Sequence, residues 1–289
     1  MKGITMIVVT GATGQLGRLV VEELLTRVPA EQIVAAVRSP EKAADLAERG
    51  VQVREADYDR PETLEPAFQG ADKILLISGS EVGRRIPQHQ AVIDAAKNAG
   101  VSLLAYTSVL HADTSALPVA PEHQATEEAI KASGLTYSLL RNGWYNENYV
   151  PTAQQGVANG VIIGSARDGR VAAASRADYA AAAAVVLTSD GHADTVYELS
   201  GDTAFTMDDL AADVTAVTGT PVAYQDLPAD AHTKALTDAG LPEPVVEMLV
   251  SIDAGTADGQ LADTSGDLSR LTGRPTTPVR ETLAAALGN

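Results

Sequence analysis

The sequence predicts an α/β fold, built on a doubly wound parallel sheet with a smaller α+β lobe after it. Apolar, β-branched runs alternate with amphipathic stretches through the first half of the chain. Glycines close several of the amphipathic stretches, and a glycine loop separates the first apolar run from the first amphipathic one. Strands that alternate with helices in this way form parallel sheets with right-handed crossovers.

The first half contains six predicted strands and five predicted helices. The first strand is continuously apolar and β-branched, as expected for a strand that is buried on both faces. Gly50, Gly100 and Gly134 each follow a predicted helix in the position just past its last turn, and Pro61 opens another helix. The strands are expected at residues 4–10, 32–37, 51–55, 73–77, 101–106 and 135–141, and the helices at residues 16–28, 41–48, 61–68, 86–98 and 122–132.

The second half is less regular and is rich in proline and glycine. We expect a first domain at residues 1–156 and a mainly separate, smaller lobe at residues 157–289, with a helix at about 177–189 that returns to the sheet. This half should contain strands at 196–199 and 222–226, a helix at 207–217 and three or four further helical pieces. The lobe is expected to cover the carboxyl edge of the sheet, where open α/β sheets bind ligands.

Composition excludes several classes of function. The 289 residues carry 21 Lys and Arg against 38 Asp and Glu, a net charge of -17 that disfavours nucleic acid and anionic membranes. There is no cysteine, which excludes disulfides and thiolate chemistry, and we predict no metal site. No apolar stretch is long enough to cross a bilayer, and the short apolar start does not resemble a signal segment. We therefore expect a cytoplasmic protein.

A glycine loop between the first strand and the first helix is the strongest local motif. Its glycines let the backbone approach a pyrophosphate, and the helix that follows offers unpaired N–H groups and a partial positive charge. The alternative is a plain glycine-rich turn. The loop reads VVTGATGQLG, and its predicted dinucleotide contacts are Gly11, Thr13, Gly14, Gln15, Leu16 and Gly17.

The end of the second predicted strand indicates which dinucleotide is bound. An acidic residue there would bind the ribose hydroxyls of NAD, whereas a cation accommodates the 2′-phosphate of NADP. The chain reads AAVRSP and places Arg38 at this tip. Because a guanidinium can donate two hydrogen bonds to a phosphate, we predict that NADPH is preferred over NADH. A solvated arginine at a strand end is the alternative.

Small and polar residues follow the next three strands. Asp57 could meet the adenine amino group, with simple surface solvation as the alternative. The remaining residues are expected to lie where the cofactor crosses the strand ends, and they are Ser78, Gly79, Ser80, Thr107 and Ser108.

The proton relay of ordinary short-chain dehydrogenases is absent. In that relay a lysine lowers the pKa of a tyrosine four residues earlier, and the tyrosine acts as general acid. None of the eight tyrosines of this chain has lysine four residues on. The chain therefore favours substrates that accept hydride without an enzymatic acid, such as quinones and cationic dyes.

Five segments of the chain carry a family resemblance, and they read GATGQLG, AAVRSPEKA, LLISGSEVGRRIPQHQAVIDAAKNAGV, AYTSVLHADTS and LLRNGWYNENY. Together they resemble the NmrA-like atypical short-chain dehydrogenases, in particular their bacterial quinone-reducing and triphenylmethane-dye-reducing members. The resemblance implies a Rossmann domain, a small substrate lobe, NADPH, and direct flavin-free hydride transfer to a quinone. It also implies that Gly79, Ser80 and Glu81 line the cofactor and that residues 142–147 wall the nicotinamide and substrate cleft.

The segment after the sixth predicted strand concentrates aromatic and amide side chains. Trp144 and Tyr145 could stack on a flat ring, and the nearby asparagines could bond to quinone oxygens or to the carboxamide. We assign Asn142, Gly143 and Trp144 to the cofactor and Tyr145 and Asn146 to catalysis. A hinge with an aromatic plug is the alternative.

His123 is a further candidate for catalysis. Related reductases of the wider family carry lysine near the start of the helix after the fifth strand, and His123 occupies that place here. It could give a proton to the quinol oxygen near neutral pH, or it could be an exposed residue of the first helical turn. His111 is a weaker candidate by the same reasoning.

Two other functions are compatible with the same sequence features. The chain could be a tailoring reductase that acts on an aromatic polyketide quinone, or a redox sensor that binds NADP without turnover. A quinone or flat aromatic molecule is the expected partner. The protein could be a monomer or a homodimer.

Overall fold

The computed structural model describes residues 5–288. The chain divides into two compact units, each discontinuous in sequence. The first comprises the described residues up to Asp113, with Pro121–Asn142 and Arg176–Glu198; the second comprises Thr114–Ala120, Gly143–Ser175 and the chain from Leu199 onward. The helix expected at about 177–189 thus belongs to the first unit. The division at residues 156/157 stays a prediction.

Within residues 5–288 the chain forms nine strands. They are Ile7–Thr10 (β1), Ile33–Val37 (β2), Gln52–Glu55 (β3), Lys73–Leu76 (β4), Leu103–Val109 (β5), Tyr137–Asn142 (β6), Val161–Gly164 (β7), Thr195–Leu199 (β8) and Ala223–Asp226 (β9). All six strands predicted in the first half are present. Residue 4, where the first of them was predicted to begin, lies outside the described residues.

Seven strands form the main sheet, in the order β3-β2-β1-β4-β5-β6-β8. The five neighbouring pairs from β3 to β6 all run parallel. The predicted doubly wound parallel sheet is therefore confirmed. The strand order reverses between β1 and β4, and ligands of such sheets bind at this reversal, outside the carboxyl ends of the strands.

The same residues form twelve α-helices. They are Gln15–Leu25 (α1), Ala44–Glu48 (α2), Leu64–Phe68 (α3), Arg85–Ala99 (α4), Ala120–Ser133 (α5), Val150–Asn159 (α6), Arg176–Thr188 (α7), Met207–Thr218 (α8), Ala229–Asp238 (α9), Glu243–Ala257 (α10), Asp267–Thr272 (α11) and Val279–Leu287 (α12). Short 3-10 turns at Pro40–Ala43 and Pro61–Thr63 lead into α2 and α3. Among these helices none is long and apolar enough to cross a membrane.

The core of the first unit lies between the sheet and its helices. Val8, Ile74 and Leu104 of the sheet pack with Phe68 of α3 and Ile93 of α4, and all five are fully buried. Burying a side chain of this size stabilises the fold by about 2 kcal/mol. Helix α7 packs against α1, and its alanine-rich sequence is almost completely buried.

The second unit contains a small parallel sheet of β7 and β9. Helix α6 precedes β7, and neither element was predicted from the sequence. Gly156 of α6 lies so close to β7 that a Cβ atom there would be 2.7 Å from Ile162. Phe205, Leu210 and Leu283 contribute to the core of this unit.

Candidate functional site

The glycine loop between β1 and α1 is closed tightly on itself. Gly11 has a φ of +58°, in the left-handed region that favours glycine, and the Gly14 N–H donates to the Gly11 carbonyl at 2.9 Å. A Cβ atom on Gly17 would lie 2.3 Å from that same carbonyl oxygen. The G-x-x-G-x-x-G spacing is therefore a packing requirement of the loop.

Helix α1 begins at this loop with its N-terminal N–H groups available. Gly14 is the residue before its first turn, no side chain in the described chain caps it there, and the first turn holds no acidic residue. A helix end of this kind binds anions through its N–H groups and its dipole. These features fit the pyrophosphate of a dinucleotide, and the predicted amides of Thr13, Gln15 and Leu16 lie at this end.

Arg38 follows β2 at the carboxyl end of the sheet. Its side chain is 66% exposed, and its Nη1 lies 3.4 Å from Oε1 of Glu81. Glu81 comes from the segment after β4, so the structure brings these two predicted site residues together. An exposed guanidinium at this strand tip fits a 2′-phosphate.

A tyrosine that sequence reasoning did not single out joins the ends of β1 and β4. The Tyr58 hydroxyl shares its single proton between two acceptors, the Ile77 carbonyl at 2.9 Å and the Thr10 hydroxyl. The Thr10 hydroxyl in turn donates to the Leu75 carbonyl and accepts from the Ile77 N–H, both at 3.0 Å. Burial raises the pKa of Tyr58, so its hydroxyl keeps its proton and holds the two strand ends together.

The Gly79 peptide is held from both sides. Its N–H donates to Nε2 of His89 at 3.0 Å, and its carbonyl accepts from Nε of Arg85 at 2.7 Å. Nδ1 of His89 lies 2.9 Å from the Thr126 hydroxyl, which donates to the Glu122 carbonyl. Sequence reasoning predicted Gly79 as a cofactor contact and missed both of the residues that fix it.

His89 is neutral in this arrangement. Because its Nε2 accepts a hydrogen bond, the proton must be on Nδ1. Burial, with a smaller contribution from the charge of Arg85, lowers the pKa of His89 to about 4. The hydrogen bond to Gly79 is therefore retained at neutral pH.

The polar residues after β4 and at the end of β5 mainly bond to neighbouring protein groups. The Ser78 N–H donates to the Thr107 hydroxyl at 2.9 Å, and the Ser108 hydroxyl donates to Glu127 at 2.6 Å. Ser80 is exposed. Asp57 accepts from the Asp59 N–H and pairs with Arg60 at 3.3 Å within a turn. Cofactor contacts for all of them stay predictions.

Glu127 and Arg141 form a buried ion pair behind Ser108. The two guanidinium nitrogens Nε and Nη2 of Arg141 donate to the two carboxylate oxygens of Glu127 at 2.9 and 2.7 Å. The side chains are 5% and 2% exposed. Nη1 of Arg141 also donates to Glu198 at 2.7 Å and to Asp113 at 3.0 Å. The pair ties β6 to α5.

His123 lies in α5 and is buried, with a side chain that faces the sheet. Its Nδ1 is 2.7 Å from the hydroxyl of Tyr106, which is fully buried in β5. Burial, followed by the charges of Arg85 and His89, lowers the pKa of His123 to about 3. Its imidazole is therefore neutral near pH 7, and its proton-donor role stays a prediction.

His111, the weaker candidate, is half-buried with a φ of +52°. Its N–H donates to Glu198 at 2.9 Å, and its Nδ1 lies 3.6 Å from the same carboxylate. The histidine therefore faces an acidic partner within the first unit.

The segment after β6 begins at Asn142, which is buried at the end of the strand. Gly143 donates its N–H to the Leu199 carbonyl at 2.7 Å, and the Trp144 carbonyl accepts from the Ala174 N–H at 3.1 Å. The Trp144 side chain packs against the core of the second unit. Tyr145 is half-buried and forms a β-bridge with Ala174.

Asn146 is fully buried. Its Nδ2 donates to the Thr277 carbonyl at 2.8 Å and to the Thr282 hydroxyl at 3.2 Å, and its N–H donates to the Ala174 carbonyl at 2.9 Å. These bonds join the segment to α12 and to the chain before α7. A direct catalytic role for Asn146 stays a prediction.

The fold and the glycine loop define a protein with a Rossmann-type dinucleotide site. A family model described as NAD(P)H-binding matches residues 11–190. The chain belongs to this NmrA-like NAD(P)H-binding family. The family and the Rossmann-like fold expected from the sequence are thereby confirmed. Within residues 5–288 no group of three or more potential metal ligands is positioned to hold a metal ion.

Particular relatives are similar to this chain over nearly its whole length. Quinone oxidoreductase 2 of Escherichia coli (strain K12) is 53% identical over 279 residues, which cover 96% of this chain and 98% of the relative. The crystal structure of the NADPH-dependent quinone oxidoreductase QOR2 from Escherichia coli, complexed with NADPH, superimposes with a TM-score of 0.94 at 52% identity, covering 97% of this chain and 99% of that one. The Citrobacter sp. triphenylmethane reductase complexed with NADP(H) gives 0.93 at 42% identity, covering 97% and 100%.

Proposed function

We propose that this protein is an NADPH-dependent quinone oxidoreductase that transfers a hydride directly to a quinone-like acceptor without flavin. The observation that carries the proposal is the closed glycine loop at the start of α1, with Arg38 exposed at the neighbouring strand tip. The 53% identity to a quinone oxidoreductase over nearly the full length of both chains supports the same conclusion.

The residues at the carboxyl edge of the sheet would hold the coenzyme. The glycine loop and the first turn of α1 bind the pyrophosphate through N–H groups, and Arg38 binds the 2′-phosphate. The Gly79 peptide, fixed between His89 and Arg85, supports the segment from Ser78 to Glu81 that lines the coenzyme. The tight closure of the loop leaves no room for a side chain at Gly17.

When bound, NADPH supplies a hydride, so that one quinone, one NADPH and one proton give one hydroquinone and one NADP⁺. The protein has to orient the quinone against the coenzyme, and it does not have to supply a strong acid. The oxygen anion that hydride addition leaves on the reduced quinone takes up a proton readily from water. This agrees with the missing tyrosine–lysine pair and with the neutral state of His123. The Nδ1 of His123 is engaged by the Tyr106 hydroxyl at 2.7 Å, so any contact of His123 with the acceptor would be made through its Nε2.

The segment from Asn142 to Glu147 would receive the acceptor. Trp144 and Tyr145 provide flat surfaces for an aromatic ring, and their backbone is fixed through Ala174. Asn146 carries a buried Oδ1 without a hydrogen-bond partner in the described chain, while its Nδ2 is engaged by Thr277 and Thr282. Asn146 therefore holds this segment in place.

The direct test is an anaerobic reaction of purified protein with NADPH and a small benzoquinone, followed at the nicotinamide absorbance band. We expect one NADPH consumed per hydroquinone formed, in protein that shows no flavin absorbance. A redox sensor would bind NADPH without consuming it, and that result would overturn the proposal. The cytoplasmic location and the absence of a nucleic-acid partner remain predictions from composition.

A further inference from the structure

A second arginine lies beside Arg38. Arg84 is the residue immediately before α4, and its side chain is 59% exposed. The Glu81 carboxylate bridges the two arginines. Its Oε1 lies 3.4 Å from Nη1 of Arg38, and its Oε2 lies 3.4 Å from Nη1 of Arg84. Two guanidinium groups thus converge on one anionic group at the carboxyl edge of the sheet.

Arg84 is oriented from its other side. Its Nη2 donates to Oδ1 of Asp59 at 2.9 Å, and the same oxygen accepts from Nε2 of Gln88 at 3.1 Å. Asp59, in the turn after β3, thus bonds to the start of α4. The guanidinium is directed toward Glu81 and Arg38 without being buried.

Arg38 and Arg84, on either side of the Glu81 carboxylate, place two positive charges around one anion, as in a phosphate site. A phosphate monoester presents three oxygens and up to two negative charges, so it bonds to two guanidinium groups more strongly than a single carboxylate does. The two ion pairs of Glu81 are long and largely exposed, and such pairs contribute little to stability. A stronger anion can therefore replace the carboxylate at little cost.

We infer that Arg84 is a second ligand of the adenosine 2′-phosphate, and that Glu81 competes with this phosphate for both arginines. This inference rests on the proposed NADPH specificity and deepens it. It assigns selectivity for the phosphorylated coenzyme to two guanidinium groups and one opposing carboxylate, rather than to Arg38 alone.

The test separates the phosphate from the rest of the nucleotide. The affinities of adenosine 2′,5′-bisphosphate and of 5′-AMP are measured by calorimetry on the full chain, for the wild type and for Arg84→Ala, Arg84→Lys and Arg38→Ala. We expect Arg84→Ala to bind the bisphosphate about five- to tenfold more weakly, with unchanged 5′-AMP affinity, because it loses a charge-assisted contact. Arg84→Lys should recover part of the loss because it restores the charge.

Arg49→Ala is the matched control. Arg49 is also exposed and paired with one carboxylate, Glu22, but it lies just after α2, away from the strand tips. Its substitution removes the same charge and should change neither affinity. Equal losses in Arg49→Ala and Arg84→Ala would show a general charge effect and would overturn the inference.

Glu81→Gln tests the competing role of the carboxylate. We expect this variant to bind the bisphosphate about threefold more tightly, and 5′-AMP no more tightly than the wild type does, because a repelling charge is lost. Weaker bisphosphate binding would contradict competition.

The failure of this inference can be told from the failure of the proposed function. If Arg38→Ala loses selectivity for the bisphosphate and Arg84→Ala keeps it, NADPH specificity stands and Arg84 is not a ligand. If the wild type binds the two nucleotides equally, the proposed NADPH specificity itself fails.

Discussion

The imidazole Nε2 of His89 accepts a hydrogen bond from the Gly79 N–H at 3.0 Å, which joins α4 to the segment after β4. The bond exists only while this nitrogen is unprotonated. Protonation of Nε2 turns this acceptor into a donor and removes the bond.

We expect His89 to make the fold less stable in acid. Its folded pKa of about 4 is below the value of about 6.5 for an exposed histidine, so the unfolded chain binds the proton more readily. The stability contributed by neutral His89 is thus complete above pH 6.5 and is lost as the pH falls from there toward 4. At pH 5 the loss from this group is on the order of 2 kcal/mol.

Urea unfolding at pH 7.5 and pH 5 measures this effect. In His89→Gln the amide oxygen can still accept from Gly79 but does not titrate, so this variant should lose less stability between the two pH values than the wild type. The buried His123, whose pKa is also lowered, is present in both proteins and serves as the common background. Identical losses in the two proteins would refute the assignment.

The closure of the glycine loop predicts a graded response to added methyl groups. Gly17→Ala would place a carbon 2.3 Å from the Gly11 carbonyl oxygen, so the loop must open. We expect NADPH binding to weaken by at least about tenfold, with a lower Tm. In Gly14→Ala the new carbon would lie 3.1 Å from the same oxygen, so a smaller shift suffices and the loss should be smaller. Isothermal calorimetry and thermal unfolding compare the two, and the reverse order would contradict the structure.

The buried pair of Glu127 and Arg141 should be costly to break from one side. Arg141→Met would remove the bidentate partner of the buried Glu127 carboxylate and leave it the longer ion pair with Lys131, at 3.7 Å. We expect a loss of about 3–5 kcal/mol in the free energy of unfolding. Adding Glu127→Gln should restore part of it, since the uncompensated charge is then removed.

An exposed ion pair supplies the control for this measurement. Lys234 and Asp238 are paired four residues apart on α9, and both are mostly exposed. Lys234→Met should change the free energy of unfolding by less than about 1 kcal/mol. If Arg141→Met/Glu127→Gln is no more stable than Arg141→Met alone, the uncompensated charge of Glu127 does not cause the loss of stability.

His123 predicts a particular pH profile of quinone reduction. Because the pKa of His123 is about 3, its imidazole is neutral throughout the range from pH 5 to pH 8. We therefore expect the dependence of kcat on pH near pH 6.5 to be the same in the wild type and in His123→Gln. A descending limb that disappears in His123→Gln would show that His123 acts as a cationic acid. Unchanged turnover in His123→Ala would instead remove its catalytic role.

Much of the fold is predictable because buried parallel strands are continuously apolar. Strands β1, β2 and β4 are mostly apolar and buried, and they lie within a few residues of their predicted bounds for this reason. Strand β3 (QVRE) is partly exposed and is placed by the helices predicted on either side of it. Helix α6 and strand β7 were not predicted, because their sequences carry weak local patterns of helix and strand. The helix contains Gly156 and the strand has only four residues, VIIG, so both depend on tertiary packing.

Some residues of the candidate site are likewise predictable from the local sequence, and others depend on tertiary packing. The glycine loop and Arg38 follow from spacing and strand order, which the sequence carries locally. The clamp on Gly79 depends on how the start of α4 lies against the end of β4, which no local pattern reveals. Helix α5 begins at Ala120, and the packing of its face, not its sequence, buries His123.

The Gly11 carbonyl, which accepts from Gly14 and abuts Gly17, restricts how this protein can be engineered. Redesign of coenzyme preference by replacing Gly11 or Gly17 of this loop would strain the backbone or force it to move. The arginines and the carboxylate at the strand tips are solvent-accessible and open to exchange, so a library aimed at converting the protein to NADH is best confined to those positions.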